Sequence, residues 1–86
     1  MIPINALRTL LEQGFPGDEV HLENPQGDGE HFLAVVVSPR FAGKSMVEQH
    51  QMVYGALGGA MGQAVHALAL KTYTPEQWAK AGPAAR

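Results

Sequence analysis

Apolar residues recur at three- and four-residue steps near the start of the chain. Ile4, Leu7, Leu10 and Leu11 share one helical face, with Arg8, Glu12 and Gln13 elsewhere. The pattern predicts a helix that Gly14 stops, then a turn at Phe15-Pro16-Gly17. From Glu19 to Glu23 polar and apolar residues alternate, the period of a half-buried strand. Asn24-Pro25-Gln26-Gly27-Asp28-Gly29 is turn chemistry throughout. His31 to Ser38 is apolar at odd and even positions alike, so this strand is expected at the centre of the sheet, in a hairpin with the one before it.

A loop over Pro39–Lys44 leads to Ser45, which with Glu48 forms a capping box opening a second helix. Its inner stripe reads as Val47, His50, Val53, Tyr54, Leu57 and Met61. Gly55, Gly58, Gly59 and Gly62 crowd its second half, each costing up to about 1 kcal/mol against Ala in a helix interior. They predict either a close helix–sheet contact or a helix that frays early. Val65 to Tyr73 reads as a third strand, with His66, Leu68, Leu70 and Thr72 on one side. Thr74-Pro75-Glu76-Gln77 is a second capping box with Pro at the first helical position, and Trp78 anchors the short helix that follows. The expected fold is α/β, in the order α-β-β-α-β-α. A hairpin followed by a helical crossover gives a three-stranded mixed sheet with strands two and three parallel, and helices are expected on one face. Residues 1–80 read as a single domain and residues 81–86 as a frayed tail, without internal repeat or linker.

Composition narrows the chemistry. Eighty-six residues, 45% apolar and 16% charged, describe one small globular domain and argue against disorder. The longest apolar run, Phe32 to Val37, is six residues, against about 20 for a membrane span. No basic start precedes an apolar stretch, so a cytoplasmic protein with no membrane role is expected. There is no cysteine, which excludes disulfides, thiolate metal sites and thiol nucleophiles supplied by this chain alone. A net charge of −2 lacks the basic excess of a strong nucleic-acid binder. Arg40, Lys44 and Lys71 remain as a local basic group near the sheet edge and loop.

Other motifs carry little. Gly43-Lys44-Ser45 matches the end of a phosphate-binding loop, but residue 38, where that motif needs its first Gly, is Ser. Gly55-Ala56-Leu57-Gly58 and Gly59-Ala60-Met61-Gly62 match G-x-x-G, yet fall late in a helix with no Lys or Arg inside them. No nucleophile with a base and no carboxylate pair can be assembled, so no enzymatic activity is expected.

Three stretches are more specific than patterns. Val36-Val37-Ser38-Pro39-Arg40-Phe41-Ala42-Gly43-Lys44-Ser45 is followed by His50-Gln51-Met52-Val53-Tyr54 and then by Val65-His66-Ala67-Leu68 running to Tyr73-Thr74-Pro75-Glu76-Gln77-Trp78. Together they closely resemble the BolA family. The resemblance implies an α/β fold related to class II KH domains. It implies partnership with a monothiol glutaredoxin through a shared 2Fe–2S cluster that also uses glutathione, with no cofactor in the isolated protein, which is expected to be a monomer. Roles in iron–sulfur protein maturation, iron regulation, transcription and stress morphology go with the family.

By spacing alone His66 reads as a strand-start histidine bonded to a nearby carbonyl, because one His has no ligand spacing. The resemblance assigns it otherwise: the His of Val-His-Ala-Leu is the family's cluster ligand. An imidazole nitrogen can replace a thiolate on one iron of such a cluster. A cysteine-free chain suits one half of a shared site. Family members usually supply the second ligand, a Cys or His, from the loop between the first two strands. That loop holds neither here; His31 stands at its exit and His21 in the strand before it. His31 is the better candidate, with a strand-end histidine of no ligand role as the alternative. Asp28 and Glu30 offer only oxygens, which suit iron–sulfur clusters poorly. Family members also carry arginines around the His of the second helix; Glu48-Gln49-His50-Gln51 has none. DNA binding through that helix is weakened accordingly, and His50 reads as core or boundary packing.

Overall fold

The computed structural model describes residues 3–24, 27, 31–58 and 67–81. Pro3 starts helix α1, Ile4–Gly14, by accepting the Ala6 and Leu7 amides on its carbonyl. Leu7 and Leu11, four residues apart, are fully buried, with Ile4 and Leu10 packed beside them. Gly14 ends the helix where it crosses a second one. A Cβ added there would overlap the Cβ of Ala56, which is fixed to its backbone and cannot rotate aside.

Strand β1, Glu19–Glu23, pairs antiparallel with β2, His31–Val37, from Glu19 opposite Val37 to Glu23 opposite Leu33. β2 pairs parallel with β3, Ala67–Tyr73, from His31 opposite Ala67 to Val37 opposite Tyr73. The order β1-β2-β3 puts β2 in the centre, as its doubly apolar sequence predicts. Between β2 and β3 run a 3₁₀ turn, Pro39–Phe41, and helix α2, Met46–Leu57. Ser45 and Glu48 form the expected capping box, and α2 ends at Gly58, whose φ of 57° favours glycine. The α2 element thus ends within the glycine-rich stretch, between Gly55 and Gly59. Gly55 has open space around it, and among the described glycines the close approach is at Gly14. Gly59, Met61, Gly62, Val65 and His66 lie outside the described residues.

Two expectations are corrected. The inner face of α2 carries Gln49, Val53 and Leu57, while Val47 is 66% exposed and Tyr54 39% exposed. The cause is polar. The Gln49 amide donates to the carbonyls of Phe41 at 3.3 Å and Lys44 at 3.0 Å, and its oxygen accepts from the Thr72 hydroxyl at 2.6 Å. These bonds turn Gln49 inward and rotate the helix away from the phase that its apolar residues alone suggest. The second correction concerns helix placement. α1 and α2 cover the face of β2 that carries Phe32, Ala34 and Val36. Helix α3, Pro75–Ala81, puts Trp78 on Val35 and Val37 instead. Alternate residues of a strand face opposite ways, so α3 lies on the other side of the sheet. A strand apolar on both faces needs cover on both.

Thr74 and Gln77 cap α3 reciprocally, backbone to side chain, at 2.9 and 3.2 Å. The indole N–H of Trp78 donates to the Glu19 carboxylate at 3.1 Å, and its ring packs on Tyr73 and His21. No helix among the described residues is long and apolar enough to cross a membrane.

Three measurements test this packing. Gly14→Ala should lower stability by about 1–2 kcal/mol in urea unfolding, overpacking against Ala56 outweighing the gain in helix propensity; an unchanged midpoint would show that α1 and α2 do not touch there. Trp78→Ala should cost about 3–5 kcal/mol, since the ring is buried, and an unchanged melting temperature would make α3 dispensable. Glu48 has its carboxyl held below the ordinary range, first by the Ser45 backbone hydrogen bond and then by the Ser45 hydroxyl. Its contribution is therefore full above the ordinary carboxylate range and is lost as pH falls through the lowered value. Glu48→Gln should slightly flatten the acid limb of stability against pH, and an unaltered limb would show the box to be idle.

Candidate functional site

The residues singled out for chemistry fall in three places. His31 is the first residue of β2, half-buried, and stands in register with Ala67, the first residue of β3. Ala67 directly follows His66 in the chain. His66 itself, the first-choice ligand, lies outside the described residues, as do Asp28 and Glu30. Among the described residues no three His, Asp or Glu side chains converge as a metal site.

His21 is separated from this position. It is exposed in mid-β1, in register with Val35, hydrogen-bonded to Glu19 and stacked beside Trp78 with ring centroids 5.4 Å apart. Its ring thus belongs to the docking of α3. His50 is half-buried on α2, as expected of a boundary residue, and meets Tyr54 edge to face at 6.4 Å. Its Nε2 is shielded from solvent without a hydrogen-bond partner among the described residues.

The three basic residues do not converge. Arg40, in the 3₁₀ turn, donates from its guanidinium to the Gly14 carbonyl at 2.8 Å and lies 4.6 Å from the centre of the Phe15 ring. It caps the end of α1 and covers an aromatic side chain that is itself against Phe41 at 5.5 Å. Lys44 sits before α2, where its charge helps to lower the Glu48 carboxyl. Lys71 is exposed on β3 in register with Val35, on the face that carries Trp78. Sequence reasoning missed the structural duty of Arg40, because it depends on Gly14, 26 residues away. It also missed the burial of Gln49, whose partners are the carbonyls of the preceding loop and a hydroxyl on β3.

A family model described as BolA-like protein matches residues 16–77. BolA-like protein 1 of Homo sapiens is 40% identical over 80 residues, covering 85% of this chain and 58% of its own. The DNA-binding transcriptional regulator BolA of Escherichia coli K12 is 44% identical over 62 residues, covering 71% of this chain and 59% of its own. The chain thus spans under two thirds of the length of both relatives. Among solved structures, a bolA protein homologue from Coxiella burnetii superposes with a TM-score of 0.76 at 40% identity, over 92% of this chain and 99% of that one. The match spans the strands, the 3₁₀ turn, α2 and the start of α3, and with it the chain belongs to the BolA-like family.

Proposed function

We propose that this chain is a non-enzymatic adaptor that pairs with a monothiol glutaredoxin through a 2Fe–2S cluster shared with glutathione, in cluster trafficking or iron regulation. The observation that carries the reading is the parallel register of β2 and β3. It sets His31, the first residue of β2, opposite Ala67, the first residue of β3, and His66 directly precedes Ala67 in the chain. The donor chemistry fits. Neutral imidazole binds one iron of such a cluster, and a chain without cysteine leaves the other iron to a partner's thiolates. When bound, the cluster would supply a transferable iron–sulfur unit. His66 and His31 would each offer a ring nitrogen.

A second reading, DNA binding by a KH-like domain, is favoured by one observation: the Escherichia coli relative is named a DNA-binding transcriptional regulator. Arg40, Lys44 and Lys71 would have to serve it. Arg40 is engaged at Gly14, and Lys71 lies on the opposite face from α2, which leaves the reading second.

The test is co-purification with a monothiol glutaredoxin under reducing conditions, with visible absorption and circular dichroism as readout. His66→Ala should leave the fold and the protein–protein association in place, alter both spectra and shorten the cluster's lifetime by at least about tenfold. His31→Ala should give a smaller change of the same kind. His50→Ala should change stability and leave the spectra alone. Wild-type spectra from both His66→Ala and His31→Ala would remove the reading, and steeply salt-dependent DNA binding would put the second in its place.

A further inference from the structure

β2 and β3 are parallel neighbours, yet the chain leaves their carboxyl ends in opposite directions. From Val37 it passes through the 3₁₀ turn to α2, on the face of Phe32 and Val36. From Tyr73 it passes directly to α3, on the face of Val35 and Val37. Where the continuations of adjacent parallel strands part to opposite faces, a crevice opens outside the strand ends, the place where open α/β sheets seat ligands. Here it has a volume of about 440 Å³, with Pro39, Ala42 and Gly43 on one wall and the Thr74–Gln77 turn on the other.

The walls are preformed. The Ser38 amide donates to the Tyr73 carbonyl at 2.9 Å, tying the two chains together just below the crevice. The buried Ser38 hydroxyl accepts the Arg40 amide at 3.2 Å. Thr74 and Gln77 are locked in their capping box, and Pro39 and Pro75 each fix a backbone angle.

Charge selects the occupant. Among the described residues, Glu76 is the one ionisable side chain lining the crevice. Arg40, next to Pro39 in the chain, is held on Phe15 and Gly14, and no Lys or Arg is among the lining residues. Pro39, Ala42 and Pro75 offer apolar surface suited to a methylene stem, beside a carboxylate suited to a cationic head. We propose that the crevice seats a lysine or arginine side chain of a partner protein, with Glu76 taking its charge. The site lies at the opposite end of the parallel pair from His31 and does not rest on the cluster reading.

Amide chemical shifts of the whole ¹⁵N-labelled protein test this. The probes are N-acetyl-Gly-Arg-Gly-amide, its Gly-Glu-Gly counterpart and inorganic phosphate. The arginine peptide should move the amides of Gly43, Thr74, Glu76 and Gln77 saturably at millimolar concentration and leave Leu33 and Ala69 still. Glu76→Gln should weaken its binding by about tenfold, the loss of one charge-assisted contact. The charge-matched Glu23→Gln should not. Ala42→Phe should block the crevice while leaving the charge intact, and a dispersed spectrum shows that each variant is folded. Larger shifts with phosphate or the glutamate peptide than with arginine would overturn the proposal. So would equal affinity in Glu76→Gln, or crevice amides that no probe moves.

Discussion

β2 is buried on both of its faces, and the arrangement of everything else answers to that. Phe32, Ala34 and Val36 point one way and Val35 and Val37 the other, all at or below 8% exposure. Each such valine gains about 1.5–3 kcal/mol from full burial. One layer of helices would leave half of that unclaimed. α1 and α2 close the first face with Leu7, Leu11, Val53 and Leu57; among the described residues the second is closed by Trp78, with Tyr73 beside it. This explains why so short a helix as α3 carries a capping box. Seven residues do not hold a helix in water unaided, so cap and indole must act together.

A small set of polar contacts decides how the first layer sits. Gln49 reaches two loop carbonyls and Thr72 of β3, pinning α2 to the sheet and to the loop before it in one orientation. Arg40 reaches from that loop to the end of α1. Gly14 lets α1 come close enough to α2 for both helices to share the core. Breaking the Gln49 contacts leaves buried polar groups unsatisfied, which costs more than the contacts themselves supply.

The strands and caps were legible because local rules govern them. Alternation marked β1, continuous apolarity marked β2 as central, and Ser45–Glu48 and Thr74–Gln77 announced two helix starts. The phase of α2 was not legible, because counting apolar residues favours Val47 and Tyr54, and the competing pull comes from a glutamine whose partners lie on other elements. The side of the sheet that α3 takes was readable in principle: a doubly apolar strand cannot be covered from one side. His31 could be put at a strand start from sequence, but its alignment with Ala67 is a property of strand register, which no single segment encodes.

The parallel pairing also separates the two ends of the domain. A parallel neighbour requires a crossover, so β2 and β3 begin together at one end and release their chains together at the other. The starting end carries His31 and follows the hairpin loop; the releasing end carries the 3₁₀ turn, the first turn of α3 and the crevice between them. His31 at one end and the crevice with Glu76 at the other put these two features on separate surfaces of a domain of this size. The proposed adaptor role would use that separation, since a surface used to hold one partner cannot also present it to the next.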